Sequence, residues 1–299
     1  MRKTALLLSL FLLITKSAMA DGTHSRSDDQ PLSTPAAQQT VPVAWSELDG
    51  KKLKLRSASV LVVDDQGTEI YSKHADEALP IASITKLMSV IVILDSGLPL
   101  DQKIRITKAD RDLIRLTGSR LNYGATLSRR TLLRLALMAS ENRAARALAR
   151  TYPGGTEAFV AAMNHKAQAL GMSESHFRDP AGLDAGNVAS ARDLVRLAEA
   201  ASGYQEIVRA TTTKRMEVKP YPKRGLLTFG NTNRLLKNQA WDISLSKTGY
   251  INEAGRCLLM KATLKGRELT IVLLNSFGKL TPFGDSNRIR KWIERGLSG

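Results

Sequence analysis

The sequence predicts an α+β protein: an antiparallel sheet flanked by helices, with a helical subdomain inserted over about residues 97–205. Strand-like runs sit near both ends of the folded part, Val60-Leu61-Val62-Val63 on one side and Cys257 to Thr263 with Leu269 to Leu274 on the other. Between them, apolar residues recur at helical spacing. Strands remote in sequence that meet in one sheet leave the intervening helices as an insert. A chain of 299 residues, 43% of them apolar and 24% charged, carries enough apolar side chains to bury such a core.

Residues 1–20 have the layout of a secretory signal. Arg2 and Lys3 form a charged start, Ala5 to Ile14 an apolar stretch too short to span a membrane, and Ala18-Met19-Ala20 a small-residue cleavage site. The next stretch, 21–44, is rich in Ser, Thr, Gln, Asp and Pro and reads as a flexible linker. Trp45 marks the edge of the folded part, 45–299.

Val60 to Val63 is a buried strand, Asp65-Gln66-Gly67-Thr68 a turn, and Glu69 to Ser72 the returning strand of a hairpin. Pro80 leads into a helix from about Ser83 to Ser96, closed by Gly97 and Pro99. Thr107 to Leu116 is amphipathic and predicts a helix. Ser128 caps Arg129 to Met138; the Ala-rich Arg143 to Thr151 follows, then Thr156 to Leu170, ended by Gly171. Ser190-Ala191-Arg192-Asp193 opens a helix through Ala201 in the manner of a capping box. Thr211-Thr212-Thr213 and Met216-Glu217-Val218 read as strands. Trp241 to Leu245 leads into Lys247-Thr248-Gly249-Tyr250, and Lys265-Gly266 turns the last hairpin. Ser286 is expected to cap a final helix through Arg295, packed on the sheet by Ile289, Trp292 and Ile293.

The formal charge is +16 and stays strongly positive without Arg2, Lys3 and Lys16, which favours anionic partners. Export argues against nucleic acid, and no aromatic–basic array supports it. The carboxylate-bearing bacterial cell wall fits better. Cys257 is the single cysteine, so no intrachain disulfide forms, and it reads as a small buried apolar residue. The histidines, His24, His74, His165 and His176, show no metal-ligand spacing, so neither a metal nor a cofactor is expected.

Ser83 and Lys86 are three apart and share one face of a helix, which makes them a nucleophile–base pair beside a partial positive helix end. Alone, Ser-x-x-Lys is common; an N-cap serine followed by a surface lysine looks the same. Two partners appear downstream. Ser140-Glu141-Asn142 sits at a break between helices, and Lys247-Thr248-Gly249 follows a strand-like run whose glycine permits close backbone approach. The ordered set Ser-x-x-Lys, Ser-x-Asn, Lys-Thr-Gly is that of penicillin-binding proteins and class A β-lactamases.

From about Trp45 onward the chain resembles the low-molecular-mass penicillin-binding proteins, D-alanyl-D-alanine carboxypeptidases and endopeptidases, and above all the DD-endopeptidase branch. Phe177 to Leu183, Asn231 to Leu236 and Ala254 to Cys257 are further family-like stretches. The chain is expected to lack the C-terminal β-domain and membrane anchor of the typical carboxypeptidases. The central Glu141 departs from the Gly or Asp of many relatives.

The resemblance implies a periplasmic enzyme of a Gram-negative bacterium acting on peptidoglycan stem peptides and cross-links, with β-lactam antibiotics as covalent inhibitors. It implies that Ser83 forms an acyl-enzyme, Lys86 is its base and Ser140 relays the proton to the leaving amine. Asn142 holds the acyl-side amide, Lys247 and Thr248 bind a carboxylate, and the backbone N–H groups of Ser83 and Tyr250 form the oxyanion hole. Lowering a lysine by about three pH units means about 4 kcal/mol of destabilisation of its cation, which burial and a second cation supply. A class A β-lactamase would need a glutamate for fast deacylation; Pro180 to Asn187 offers only Asp184, so penicillin release is expected to be slow. A strict DD-carboxypeptidase and a non-catalytic wall-binding protein remain as alternatives. An endopeptidase needs an open cleft with a basic rim, expected from Lys214, Arg215, Lys219, Lys223 and Arg224.

Overall fold

The computed structural model describes residues 48–297. The signal peptide over 1–20, the linker over 21–44 and the edge at Trp45 lie outside the described residues.

The chain enters as a hairpin, β1 (Ser57–Asp64) and β2 (Glu69–Lys73), whose turn is held by Asp64 Oδ1 accepting from the backbone N–H groups of Gln66 and Thr68. After the short β3 (Leu79–Pro80), a single 3-10 turn over Ala82–Ile84 leads into α1 (Thr85–Asp95). The strands β4 (Lys103–Arg105) and β5 (Thr126–Ser128) bracket a long loop. Then come α2 (Arg129–Met138), α3 (Asn142–Arg150) and α4 (Gly155–Ala169). The two-residue β6 (Val188–Ala189) pairs with β3 and precedes α5 (Ala191–Ser202) and α6 (Gln205–Thr212). A small hairpin, β7 (Arg215–Val218) and β8 (Leu227–Gly230), is followed by the long strands β9 (Asp242–Ile251), β10 (Gly255–Leu264) and β11 (Arg267–Ser276), and by α7 (Thr281–Gly296).

The main sheet is antiparallel, in the order β2-β1-β11-β10-β9. The N-terminal hairpin joins it because β1 pairs with β11, Val62 opposite Ile271. Alternate residues serve two cores. Val60, Val62, Leu258, Met260 and Ile271 meet Ile289 and Ile293 of α7 on one face. Leu61, Val63, Leu259, Val272 and Leu274 meet the helices on the other. Each aliphatic side chain buried in this way stabilises the fold by about 1.5–3 kcal/mol. Helix α1 is buried on all sides from Thr85 to Ile93, which makes it the axis of the helical layer. Strand β9 ends the sheet, leaving its outer edge toward the helices.

The expected caps on α2 and α5 are present: Ser128 Oγ accepts from the Thr131 N–H and Ser190 Oγ from the Asp193 N–H. Three expectations are corrected. Thr107 to Leu116 forms only a 3-10 turn over Lys108–Asp110, because the Asp112 carboxylate captures the backbone N–H groups of Ile114, Arg115 and Thr117 that a helix would use. Thr211 and Thr212 end α6 rather than form a strand: Ile207 and Ala210 are buried on its inner face, and both hydroxyls donate back to the Val208 carbonyl. Helix α7 begins at Thr281 with Pro282 in its first turn, and Ser286 lies inside it, bonded to the Pro282 carbonyl.

Candidate active site

Ser83 sits in the 3-10 turn that feeds α1, and Lys86 in the first turn of α1. The residue before the serine, Ala82, has φ of 48°, a left-handed conformation that a side chain disfavours. Two glycines hold it there by allowing backbone contact. A Cβ on Gly182 would lie 1.9 Å from the Ala82 carbonyl oxygen. One on Gly249 of β9 would lie 2.7 Å from the Ile81 carbonyl oxygen and 3.2 Å from the Ser83 nitrogen. The Ser83 turn is thus clamped between the 179–187 loop and the sheet edge.

Lys86 Nζ lies 2.7 Å from Ser83 Oγ, 2.8 Å from Asn142 Oδ1 and 2.6 Å from the Ala181 carbonyl oxygen. Two of these partners can only accept. A neutral amine has two N–H groups and one lone pair. Its hydrogens go to Asn142 and Ala181, and its lone pair is left for the Ser83 hydroxyl. Burial lowers the Lys86 pKa to about 8, although the negative charges of Asp179, Glu141 and Asp112 act to raise it. The neutral amine is thus more accessible here than in a free lysine, and it lies within hydrogen-bond reach of Ser83.

Across the cleft, Lys247 of β9 donates to Ser140 Oγ at 3.0 Å and to the Thr248 carbonyl at 2.9 Å. Burial, with Lys86 as a nearby like charge, holds its pKa well below that of a free lysine. Ser140 sits between α2 and α3 with φ of 57°, a second strained residue at this site. Thr248 Oγ1 donates to Thr232 Oγ1 at 2.7 Å.

These groups share a cleft of about 770 Å³ lined by Ser83, Ser140, Asn142, Thr248, Gly249 and Tyr250. The three motifs thus meet at one cavity, with the two buried lysines bonded to its lining residues Ser83 and Ser140. The cations along this cleft are Arg234, Lys237, Arg256 and Lys279, with Arg256 stacked on the Tyr250 ring at 3.6 Å. None of Lys214, Arg215, Lys219, Lys223 and Arg224 lines it, so the basic rim comes from the β9 surroundings and not from the β7–β8 hairpin.

Sequence reasoning missed several contributors. Asp179 is buried and accepts from the backbone N–H groups of Ala181, Leu183 and Asp184 and from Asn187 Nδ2, which shapes the turn that presents the Ala181 carbonyl. The sole hint was an Asp before Pro-Ala-Gly. Glu141, taken only as a departure from the family pattern, caps α3 through the Arg143 N–H and accepts from Ser119 Oγ. Asp184, weighed as a water-positioning group, accepts from the Gly186 N–H.

A serine beside a depressed, carbonyl-flanked lysine, at the start of a helix set against an antiparallel sheet, is the arrangement of the penicillin-binding proteins and class A β-lactamases, and the family match decides between them. Residues 46–278 match the D-alanyl-D-alanine carboxypeptidase family, and the chain belongs to that family. It is 47% identical over 244 residues to a D-alanyl-D-alanine endopeptidase of Pseudomonas aeruginosa, covering 81% of this chain and 79% of that one. It is 41% identical over 266 residues to a D-alanyl-D-alanine endopeptidase of Escherichia coli, covering 89% and 86%. The crystal structure of the Streptomyces K15 DD-transpeptidase superposes with a TM-score of 0.74 at 28% identity, over 81% of this chain and 98% of that one. Among the described residues no helix is long and apolar enough to cross a membrane.

Proposed function

We propose that this chain is a serine DD-endopeptidase that hydrolyses D-alanyl-diaminopimelate cross-links of peptidoglycan. The observation that carries the mechanism is the 2.7 Å contact from Lys86 Nζ to Ser83 Oγ, with both other lysine partners limited to accepting. Lys86 takes the Ser83 proton as Oγ bonds to the D-alanyl carbonyl carbon. The oxyanion that forms lies between the backbone N–H groups of Ser83 and Tyr250. Ser140, bonded to Lys247, passes a proton to the leaving amine as the C–N bond breaks, and the proton held on Lys86 replaces it, which restores both Ser140 and the neutral Lys86 amine. Water then attacks the ester and returns the proton to Ser83. Asn142 holds the acyl-side amide, and Lys247, Thr248 and the backbone at Gly249 receive the carboxylate of the leaving stem peptide.

Two things favour the endopeptidase over the carboxypeptidase. The relatives at 47% and 41% identity carry the endopeptidase name. The open cleft also offers four cations beyond the motif residues to a second, carboxylate-bearing stem. The domain reading belongs to the same proposal: signal peptide 1–20, linker 21–44, and a DD-peptidase domain whose helical subdomain spans about 97–205, exported to the periplasm of a Gram-negative bacterium. β-Lactams acylate Ser83 and leave slowly.

The test incubates the protein separately with a cross-linked muropeptide dimer and with a monomeric pentapeptide. Faster cleavage of the dimer is expected. Faster release of D-alanine from the monomer overturns the endopeptidase assignment. Ser83→Ala is expected to abolish fluorescent-penicillin labelling, and residual stoichiometric labelling would place the nucleophile elsewhere.

A further inference from the structure

Thr117 and Asp112 stand behind Asn142 and belong to none of the three motifs. The Thr117 hydroxyl has one hydrogen, and Asp112 Oδ2 accepts it at 2.7 Å. Its oxygen can then only accept from Asn142, whose Nδ2 donates to it at 2.9 Å. The Asn142 amide is thereby oriented: Nδ2 toward Thr117, Oδ1 toward Lys86 Nζ at 2.8 Å. Turned over, the amide would aim N–H groups at the Lys86 amine and an acceptor at a hydroxyl whose hydrogen is already committed.

Asp112 cannot reverse that polarity. It is 2% exposed, and both oxygens are occupied by donors: Oδ1 by the backbone N–H groups of Ile114 and Arg115 at 2.9 and 3.0 Å, Oδ2 by the Thr117 N–H at 2.9 Å. Burial acts to raise its pKa, but these N–H groups and the Thr117 hydroxyl hold it below the ordinary carboxylate value. An ionised carboxylate only accepts. The loop is fixed as well, since Arg115 Nε donates to the Leu183 carbonyl at 2.6 Å and Nη2 pairs with Glu253 at 2.6 Å.

We propose that Asp112 and Thr117 are positioning residues that set the proton polarity of the Ser83–Lys86 pair through the amide of Asn142. The inference rests on the serine-peptidase reading above. With the amide held, a neutral Lys86 spends its hydrogens on Asn142 and Ala181 and aims its lone pair at Ser83. One Nδ2 hydrogen of Asn142 also remains for a substrate carbonyl. Without the Thr117 hydroxyl, the amide is free to turn and the lone pair is no longer confined to Ser83.

The test is single-turnover acylation by fluorescent penicillin, followed against pH in wild type, Thr117→Val, Thr117→Ser and Asp112→Asn. Valine keeps the shape of threonine and removes only the hydroxyl. Thr117→Val is expected to acylate slower by about tenfold or more, the scale of one lost hydrogen bond at the base, and Thr117→Ser to return to within about threefold of wild type. The charged groups facing Lys86 are Asp179, Glu141, Asp112 and, across the cleft, Lys247. Asp112→Asn removes one stabiliser of the Lys86 cation, so the acid limb of its rate profile is expected at lower pH. Thr117→Val acylating within threefold of wild type over the whole profile overturns the proposal while leaving the peptidase reading intact. A wild-type protein that does not acylate overturns both.

Discussion

The two walls of the cleft each bury one lysine, and they treat it differently. The helical wall surrounds Lys86 with three oxygen partners and the field of Asp179, Glu141 and Asp112. The sheet wall gives Lys247 one hydroxyl and one carbonyl, and its nearby charge is the other lysine. Both side chains are removed from water, at 0% and 1% exposure, so burial lowers both pKa values. Carboxylates oppose the fall at Lys86 and leave it at about 8; at Lys247 burial and the neighbouring Lys86 cation both push downward, well below the ordinary lysine value. Of the two amines, that of Lys86 touches Ser83 and that of Lys247 touches Ser140. The sheet-wall lysine instead lacks a countercharge that an incoming carboxylate can supply.

The comparison breaks most visibly at Lys86. Lys86→Ala is expected to slow acylation by penicillin by about a thousandfold, within the range for a lost general base. Acylation within tenfold of wild type would move the base to the other wall.

Next in size is a stability effect. The folded pKa of Lys86 is about 8 against an ordinary 10.5, so between those values the unfolded chain binds the extra proton. Stability therefore rises with pH through that window, by about 3 kcal/mol when complete. Denaturant unfolding of wild type and Lys86→Met at pH 7.5 and pH 10 reads this, because titrating groups remote from Lys86 cancel in the difference; Lys247, which feels the Lys86 charge, is controlled by repeating the pair in a Lys247→Met background. A difference between the two proteins that does not change with pH contradicts the lowered pKa.

Lys247→Ala is expected to weaken acylation by carboxylate-bearing ligands by about 10- to 100-fold, chiefly through binding, the scale of one charged hydrogen bond. A loss in the rate step equal to that of Lys86→Ala would erase the distinction between the walls. The smallest effect is also the most specific. When a carboxylate binds, Lys247 gains the countercharge it lacks, and its pKa rises. Binding is then coupled to proton uptake and weakens as pH rises. Calorimetry of Ser83→Ala with a penicillin, in buffers of different ionisation heat, measures this; heats independent of buffer would show Lys247 already charged.

Much of this was legible in the sequence. The strands at Val60 to Val63 and Cys257 to Leu274, the capped helices α2 and α5, and all three motifs stand where the patterns put them. Two of the misreadings share one cause. Thr107 to Leu116 and Thr211 to Thr213 were judged by periodicity and propensity, and in each case side-chain oxygens bonding to nearby backbone, together with tertiary burial, decided otherwise. The basic rim was assigned to the nearest run of cations in sequence, whereas Arg234, Arg256 and Lys279 reach the cleft from three separate segments.

What the sequence determined by itself is the chemistry whose spacing is local. Ser83 and Lys86 lie three residues apart, so one turn brings hydroxyl and amine together wherever that turn is placed. What only the tertiary structure decided is the state of that amine. Its other partners come from 56 and 95 residues away, at Asn142 and Ala181, and Thr117 reaches Asn142 across 25. A pKa sums desolvation and charge over everything nearby in space, and a hydrogen-bond polarity passes through whichever groups touch. Neither quantity is carried by any stretch of chain alone, so Asp179, Asp112 and Thr117 became visible only once the fold had brought them behind the serine.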